Sequence, residues 1–384
     1  MTDPVEGGTV PRDARSGPTR DRAPRASGRR SRPAPRPATS SLAGGEMRSA
    51  GLPSARRPAL PVPVEAVGAR ADGLVVGTVP PAARMSGALL VGSALVAVAA
   101  LFPTYLVVAG EPLSSTAGAA GVPVALLVPV AHLLVGGWLV RGAVPKFGLA
   151  YAGTSGALAL GQLLIELYRG RSSTARSAVE VLGGERVLTS SVEVAPGWVL
   201  GVAALCLVVL AGICAAAAWG RTVMDDSGPL DDVRSALAGA TVLLGVASVL
   251  CLALPAADVP DQLVTDPSTG LQTVVTREGP QALLERPGLA LLGGLLLAGA
   301  VLLCSVVVPS LRPRLASVGG LLALSVAVLA AALTGLRDAA SSDDLEWTVP
   351  GAGLVLTGLG YAALTVLAWR LRRSRAQPPP STRP

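Results

Sequence analysis

The feature that most constrains this chain is a series of apolar segments, each about twenty residues long, separated by short polar stretches. A helix rises 1.5 Å per residue, so about 20 apolar residues cross a bilayer core of ~30 Å. From Met85 onward, eight segments meet this requirement. They span residues 85–108, 121–141, 147–168, 196–219, 235–255, 288–310, 315–336 and 350–371. We therefore predict an all-α polytopic membrane protein with eight transmembrane helices.

The composition agrees with this class and separates off the two ends of the chain. Only 15% of the 384 residues are charged, against about 25% in a typical soluble domain. Residues 1–84 are rich in Pro, Arg and Ser and show no hydrophobic period, so we predict a disordered basic cytoplasmic tail. Residues 372–384 form a second basic, Pro-rich cytoplasmic tail. No apolar signal-peptide core closely follows the paired arginines of the first tail.

Two sets of four segments share similar connections. The first segment of each set has a proline at its outer edge, Pro103 or Pro255, and the last is preceded by Glu193 or Glu346 just before Pro-Gly. The second and third segments of each set are joined by a short, basic, proline-containing loop. Four spans restore the chain's direction, so residues 85–219 and 220–371 are predicted to be two parallel four-helix repeats. The alternative is an accidental similarity between two Ala/Gly-rich sequences.

The distribution of basic residues predicts the orientation. With the N-terminus inside, 25 of the 32 Lys and Arg residues lie on the inner side, as the positive-inside rule requires. Both termini are therefore expected in the cytoplasm, and the protein in the plasma membrane. The excess of Arg over Lys, with abundant Ala, Gly and Pro, is typical of GC-rich bacterial coding. The predicted partners are the lipid bilayer, anionic lipid at the N-terminal tail and another membrane protein, with no nucleic acid.

The outer loops contain further predicted elements. In residues 169–195 the sequence STARSAVEVLGG predicts a short helix ended by Gly183, and ERVLTSSVEV then predicts a strand. In residues 256–287 we predict strand, turn and strand, followed by a short helix. The residues predicted for that turn are Asp266, Pro267 and Gly270. These loops form either a small folded cap or separate, loosely ordered segments.

A candidate polar site in the membrane consists of His132, Gln162 and Glu166. His132 is the only histidine and lies within the second apolar segment, on one helical face with Pro129 and Gly136. It either hydrogen-bonds a carbonyl or hydroxyl of a neighbouring helix, or it serves a ligand or proton-linked role. No Asp, Glu, Lys or Arg lies at the middle of a span. That pattern argues against proton-coupled transport, which usually employs such groups.

The sequence offers no catalytic, cofactor-binding or metal site. A single histidine leaves few catalytic pairings, and the four cysteines lack metal-ligand spacing. Outer carboxylates such as Asp258, Asp261 and Glu346 are the only candidates for an embedded enzyme. We expect a non-enzymatic integral plasma-membrane protein that acts as a component or partner of a membrane complex. The alternative is a transporter or flippase for a hydrophobic or lipid-linked molecule.

Overall fold

The computed structural model consists mainly of long α-helices. The structure describes residues 74–108, 111–114, 116, 121–171, 180–182, 185–187, 192–226, 231–258, 262–265, 272–275, 283, 288–341 and 346–374. Within these residues the long helices are α1 (Pro81–Ala99), α2 (Val122–Val140), α3 (Pro145–Arg169), α4 (Pro196–Trp219), α5 (Asp231–Leu252), α6 (Leu289–Val307), α7 (Arg314–Ser341) and α8 (Val349–Ser374). Each is long and apolar enough to cross a membrane. The prediction of a multi-pass membrane protein with eight such helices is confirmed.

Proline sets several helix boundaries. Its fixed φ suits the first helical position, and its missing N–H is not needed there. Three helices begin in this way, at Pro81, Pro145 and Pro196. α1 consequently begins before the predicted residue 85. It ends at Ala99 rather than residue 108, since Pro103 interrupts the helix and the β-branched run after it forms strand β2, Leu106–Val108.

Helices α3 and α7 form the centre of the bundle. Within an apolar stretch of 18 residues in each helix, 61% of the residues of α3 and 67% of those of α7 are buried. The corresponding share is 22–44% in the other six described helices. α3 packs against α4, α6 and α7, while α7 packs against α8, α2 and α3. On the outside, α1 packs on α2 and α4, and α5 packs on α6 and α8. The buried polar side chains are spread over most of the described helices, with two each on α3 and α7 and others on α1, α2, α5, α6 and α8.

Short antiparallel strands lie at both ends of the helix bundle. We call the end where α1 begins and α8 ends the terminal face, and the opposite end the distal face. On the terminal face β1 (Leu74–Val76) pairs with β7 (Met224–Asp226). On the distal face β2 pairs with β3 (Glu111–Leu113) and β6 (Val192–Val194), while β8 (Ala257–Asp258) pairs with β11 (Glu346–Trp347). Two distal hairpins are β4–β5 (Glu180–Leu182 with Glu185–Val187) and β9–β10 (Gln262–Thr265 with Gln272–Val275).

The loop predictions are partly correct. The strand–turn–strand prediction is confirmed for β9 and β10, whereas the turn residues Asp266, Pro267 and Gly270 lie outside the described residues. The helix predicted up to Gly183 is wrong at Glu180–Leu182, which forms β4 because the following strand β5 is available to pair with it. Residues 172–179 and nearly all of the last predicted loop helix lie outside the described residues.

The predicted tails fall largely outside the structure. Residues 1–73 and 375–384 are not among the described residues. The prediction of a disordered tail is wrong at residues 74–76, which form β1, and from Pro81, where α1 begins. Residues 372–374, predicted as tail, continue α8. The pairing with β7 on the terminal face stabilises β1, because it satisfies backbone groups of that strand.

Small residues bring helix backbones into direct contact. A Cβ added to Gly156 of α3 would lie 2.7 Å from the Cα of Gly212 in α4. Both glycines belong to the small-residue pairs visible in the sequence, Ala152/Gly156 and Gly212/Ala216. Where lipid provides no hydrophobic driving force between helices, such close approach supplies the dispersion attraction that holds them together.

Candidate functional site

A cavity of about 470 Å³ lies between α3 and α7, and we call it the central cavity. Helices α2, α4, α6 and α8 complete its walls, and the segment after α5 also borders it. Its lining extends from His132 and Tyr151, within the bundle, to Arg169 and Asp338 near the distal ends of α3 and α7. The volume lies within the range of about 300–1,000 Å³ that is typical of small-molecule sites.

The two long walls of the central cavity differ in chemistry. Tyr151, Ser155 and Gln162 occupy one face of α3, at spacings of four and seven residues. The facing wall of α7 carries the small apolar side chains Ala323, Ala327 and Ala331, one turn apart, and the Thr334 side chain lines the cavity nearer its distal end. A molecule bound here would meet hydrogen-bonding groups on one side and methyl groups on the other.

His132 reaches the central cavity from α2 and contacts two other helices. Its Nδ1 lies 3.3 Å from the Oγ of Ser93 in α1, and Ser93 Oγ lies 2.7 Å from the carbonyl oxygen of Leu90. If the single hydroxyl proton goes to Leu90, the imidazole donates from Nδ1 and keeps Nε2 as an acceptor. The ring meets Tyr151 of α3 edge-on, with 5.8 Å between ring centroids. Only 6% of His132 is exposed, so α1 and α3 fix its orientation.

Gln162 and Glu166 lie one turn apart on α3 but have different surroundings. The Gln162 side chain is exposed, lines the central cavity and makes no hydrogen bond with the described residues. Glu166 is not part of the lining. Its carboxylate accepts a hydrogen bond from the Tyr105 hydroxyl and pairs with Arg169 at 3.5 Å. The structure therefore brings His132 and Gln162 to one cavity and directs Glu166 towards Tyr105, which follows α1.

The distal end of the central cavity contains charges of both signs. Arg169 and Asp338 line it there. Asp338 accepts hydrogen bonds from the neighbouring Arg337, at 2.9 Å from Nε and 2.6 Å from an η nitrogen. Arg169 pairs with Glu166. These pairs balance each other in charge, so a ligand entering between them needs no strong net charge of its own.

Tyr151 and Ser155 belong to the site although their sequence positions did not mark them. Tyr151 is fully buried, and its hydroxyl lies beside Ser155 without a hydrogen bond of normal geometry. A second polar cluster lies outside the cavity, where the Tyr361 hydroxyl of α8 is 2.7 Å from Ser305 Oγ of α6. The sequence signal that could have identified Tyr151 and Ser155 is the helical spacing of polar residues on α3, taken together with the small residues at every fourth position of α7.

No family model, curated protein or solved structure matches this chain. Across the described part of the chain, no three His, Cys, Asp or Glu side chains cluster in a way that would hold a metal ion. All four cysteines are free thiols.

Proposed function

We propose that the protein is a carrier or flippase for a hydrophobic or lipid-linked molecule, and that the central cavity is its binding site. The observation that carries this proposal is the position of the cavity between α3 and α7, with hydrogen-bonding side chains along α3 and a row of alanines along α7. The apolar part of the molecule would lie along the alanines of α7. Its polar group would hydrogen-bond Gln162, whose amide offers both donors and an acceptor.

The charge distribution supports a ligand whose inserted part is neutral. Along the described lining, the ionisable groups with full charge are Arg169 and Asp338, both near the distal ends of their helices. Deeper in the cavity the polar groups are the imidazole of His132, the amide of Gln162 and the hydroxyls of Tyr151 and Ser155. Such groups can orient a hydroxyl, ester or amide without the large cost of burying a charge.

The arrangement of helices supports the proposed parallel repeat of residues 85–219 and 220–371. Each first helix packs on the second and fourth of its own half, and each third helix packs on the fourth. Between the halves, α3 packs on α6 as α7 packs on α2, and α3 meets its counterpart α7. The strands agree, since β2–β6 and β8–β11 both join the end of a first helix to the start of a fourth. Alternating access by motion of one half against the other is compatible with such a repeat.

In the proposed orientation, the terminal face and both tails lie on the cytoplasmic side of a bacterial plasma membrane. In this orientation the central cavity is accessible from the outer side of the membrane. The proposal rests on the positive-inside rule. Proteolysis of the N-terminal tail in inside-out but not in right-side-out vesicles would support it.

Photo-crosslinking tests the binding site directly. A benzophenone amino acid at position 162 would face the central cavity, whereas one at Leu160 of the same helix would face outward, since Leu160 is 42% exposed and is not part of the lining. We expect mass spectrometry to find one class of lipid-like adduct at position 162 and the bulk phospholipids at position 160. The same mixture of bulk phospholipids at both positions would refute a specific site.

The second proposal is that the protein acts without transport, as a component of a membrane complex. Its support is the amount of polar sequence on both faces of the membrane, including the tail of residues 1–73 and the distal loops. Affinity purification in mild detergent distinguishes the two proposals. The substitution Ala327→Trp would fill the central cavity. A stoichiometric protein partner that still co-purifies with this variant would favour the complex.

A further inference from the structure

A second, shallower cavity opens on the side of the bundle near the terminal face. It has a volume of about 220 Å³ and lies between α4 and α6, over the surface of α3. Its floor includes Gly153, where an added Cβ would meet no atom within 4 Å. Its walls are formed by Ala216 and Trp219 of α4 and by Leu303 and Val307 of α6. We call this the lateral groove.

The walls of the lateral groove face the surroundings of the bundle. Leu303 is 64% exposed and Val307 is 41% exposed, and both belong to a helix apolar enough to cross a membrane. In a bilayer these side chains contact lipid chains. Hydrocarbon chains can enter the groove, and its small floor residues would let one chain lie deeper than the rest of the surrounding lipid.

Positive charge lies at the terminal end of the lateral groove. Lys146, at the start of α3, holds its Nζ 5.5 Å from the ring centroid of Trp219, which lines the groove. On the α6 side, the guanidinium of Arg234 donates hydrogen bonds to the carbonyl oxygens of Pro309 and Ser310. Neither base forms a salt bridge with any residue that the structure describes. Among the described residues, no carboxylate therefore neutralises either charge, and an anion at the membrane interface can approach them.

We propose that the lateral groove binds a phospholipid with an anionic headgroup, with an acyl chain over Gly153 and the phosphate near Lys146. Trp219 and Lys146 at the end of an apolar groove match the usual depth of aromatic and snorkelling basic residues at the interface. An anionic headgroup satisfies the positive end, which a zwitterionic headgroup does less well. The proposal is independent of what the central cavity binds.

Quenching of Trp219 by brominated lipid tests this proposal. The other four tryptophans are replaced by Phe, and the protein is reconstituted in vesicles that contain either brominated phosphatidylglycerol or brominated phosphatidylcholine. We expect phosphatidylglycerol to quench Trp219 at the lower mole fraction. Lys146→Gln should weaken this preference by about fivefold, which corresponds to one basic residue near the surface. Arg141→Gln, an exposed change on the same face, is the matched control and should leave the preference unchanged.

Two groove-filling variants complete the experiment. Gly153→Leu fills the groove from α3 and Ala216→Leu from α4, so each should reduce quenching by both lipids if it leaves the thermal unfolding midpoint in place. Equal quenching by the two lipids in the parent protein would mean ordinary surrounding lipid and would overturn the proposal. Quenching that neither filling variant changes would overturn it as well. The proposal would also be overturned if neither lipid quenched Trp219 because a protein partner covers the groove.

Discussion

The contact between α3 and α6 gives the sharpest quantitative prediction. A Cβ on Gly161 of α3 would lie 2.6 Å from the backbone nitrogen of Leu297 and 2.7 Å from the carbonyl oxygen of Gly293. These are backbone atoms, so no side-chain rotation can relieve the overlap. Restoring an ordinary distance of 3.4 Å requires the two helices to separate by about 0.8 Å. A gap of that size forfeits about a quarter to a half of the dispersion attraction of each contact.

Gly153→Ala on the same helix provides the matched control for Gly161→Ala. Both changes gain the same helix propensity, about 1 kcal/mol in soluble hosts, but Gly153 has open space around it. The difference between the two variants therefore isolates the cost of overpacking, which is typically about 1–3 kcal/mol. We expect Gly161→Ala to lower the free energy of unfolding by that amount relative to Gly153→Ala.

Reversible unfolding in mixed micelles of mild detergent and SDS would measure this difference. Far-UV circular dichroism follows the helices. In a background with Cys206, Cys214 and Cys251 replaced by Ala, reaction of the buried Cys304 thiol with a maleimide follows the loss of packing. Equal unfolding midpoints for the two variants would refute the reasoning, because they would mean that α3 and α6 are not in backbone contact at Gly161.

Three further predictions concern polar contacts within the bundle. Tyr361→Phe removes the hydrogen bond to Ser305, which retains its bond to Val301, so unfolding should become easier by only about 0.6–1.5 kcal/mol. Glu166→Gln keeps an acceptor for Tyr105 but loses the half-exposed pair with Arg169, so it should cost under about 1 kcal/mol, and Glu166→Ala should cost more. His132→Gln retains a partner for Ser93 but loses the ring contact with Tyr151, a loss of about 0.5–1.5 kcal/mol. Chemical or thermal unfolding measures each change, and a loss several times larger would contradict the stated contact.

The spans were predictable because the length of an apolar run is a local property. The fourth span, residues 196–219, coincides with α4, since Pro196 and Trp219 mark its ends in the sequence itself. The central cavity was not predictable in the same way. It depends on the packing of α3 against α7, and the apolar sequence of these helices does not specify that neighbour.

The residues of the candidate site were likewise predictable only in part from the sequence. His132 and Gln162 stood out as polar residues in apolar segments, and the structure brings them to one cavity. Glu166 stood out for the same reason but is directed to Tyr105. The sequence does not indicate which way a side chain turns near a helix end. Tyr151 was overlooked because an aromatic residue in a span is usually simple packing.

Division of the chain between α4 and α5 tests the proposed halves as units. A larger share of α3 and of α7 is buried than of the other described helices, and each of these two packs on two helices of the opposite half. A fragment ending at residue 226 would expose the polar face of α3, including Ser155 and Gln162, to lipid. We therefore expect each fragment to be degraded alone and the two to co-purify when expressed together.

Gly161→Leu, which disrupts the α3–α6 contact, should reduce the yield of the complex, whereas Gly153→Leu should not. Two fragments that accumulate separately and do not associate would show that the halves are independent domains, and a carrier mechanism based on their shared cavity would then be untenable.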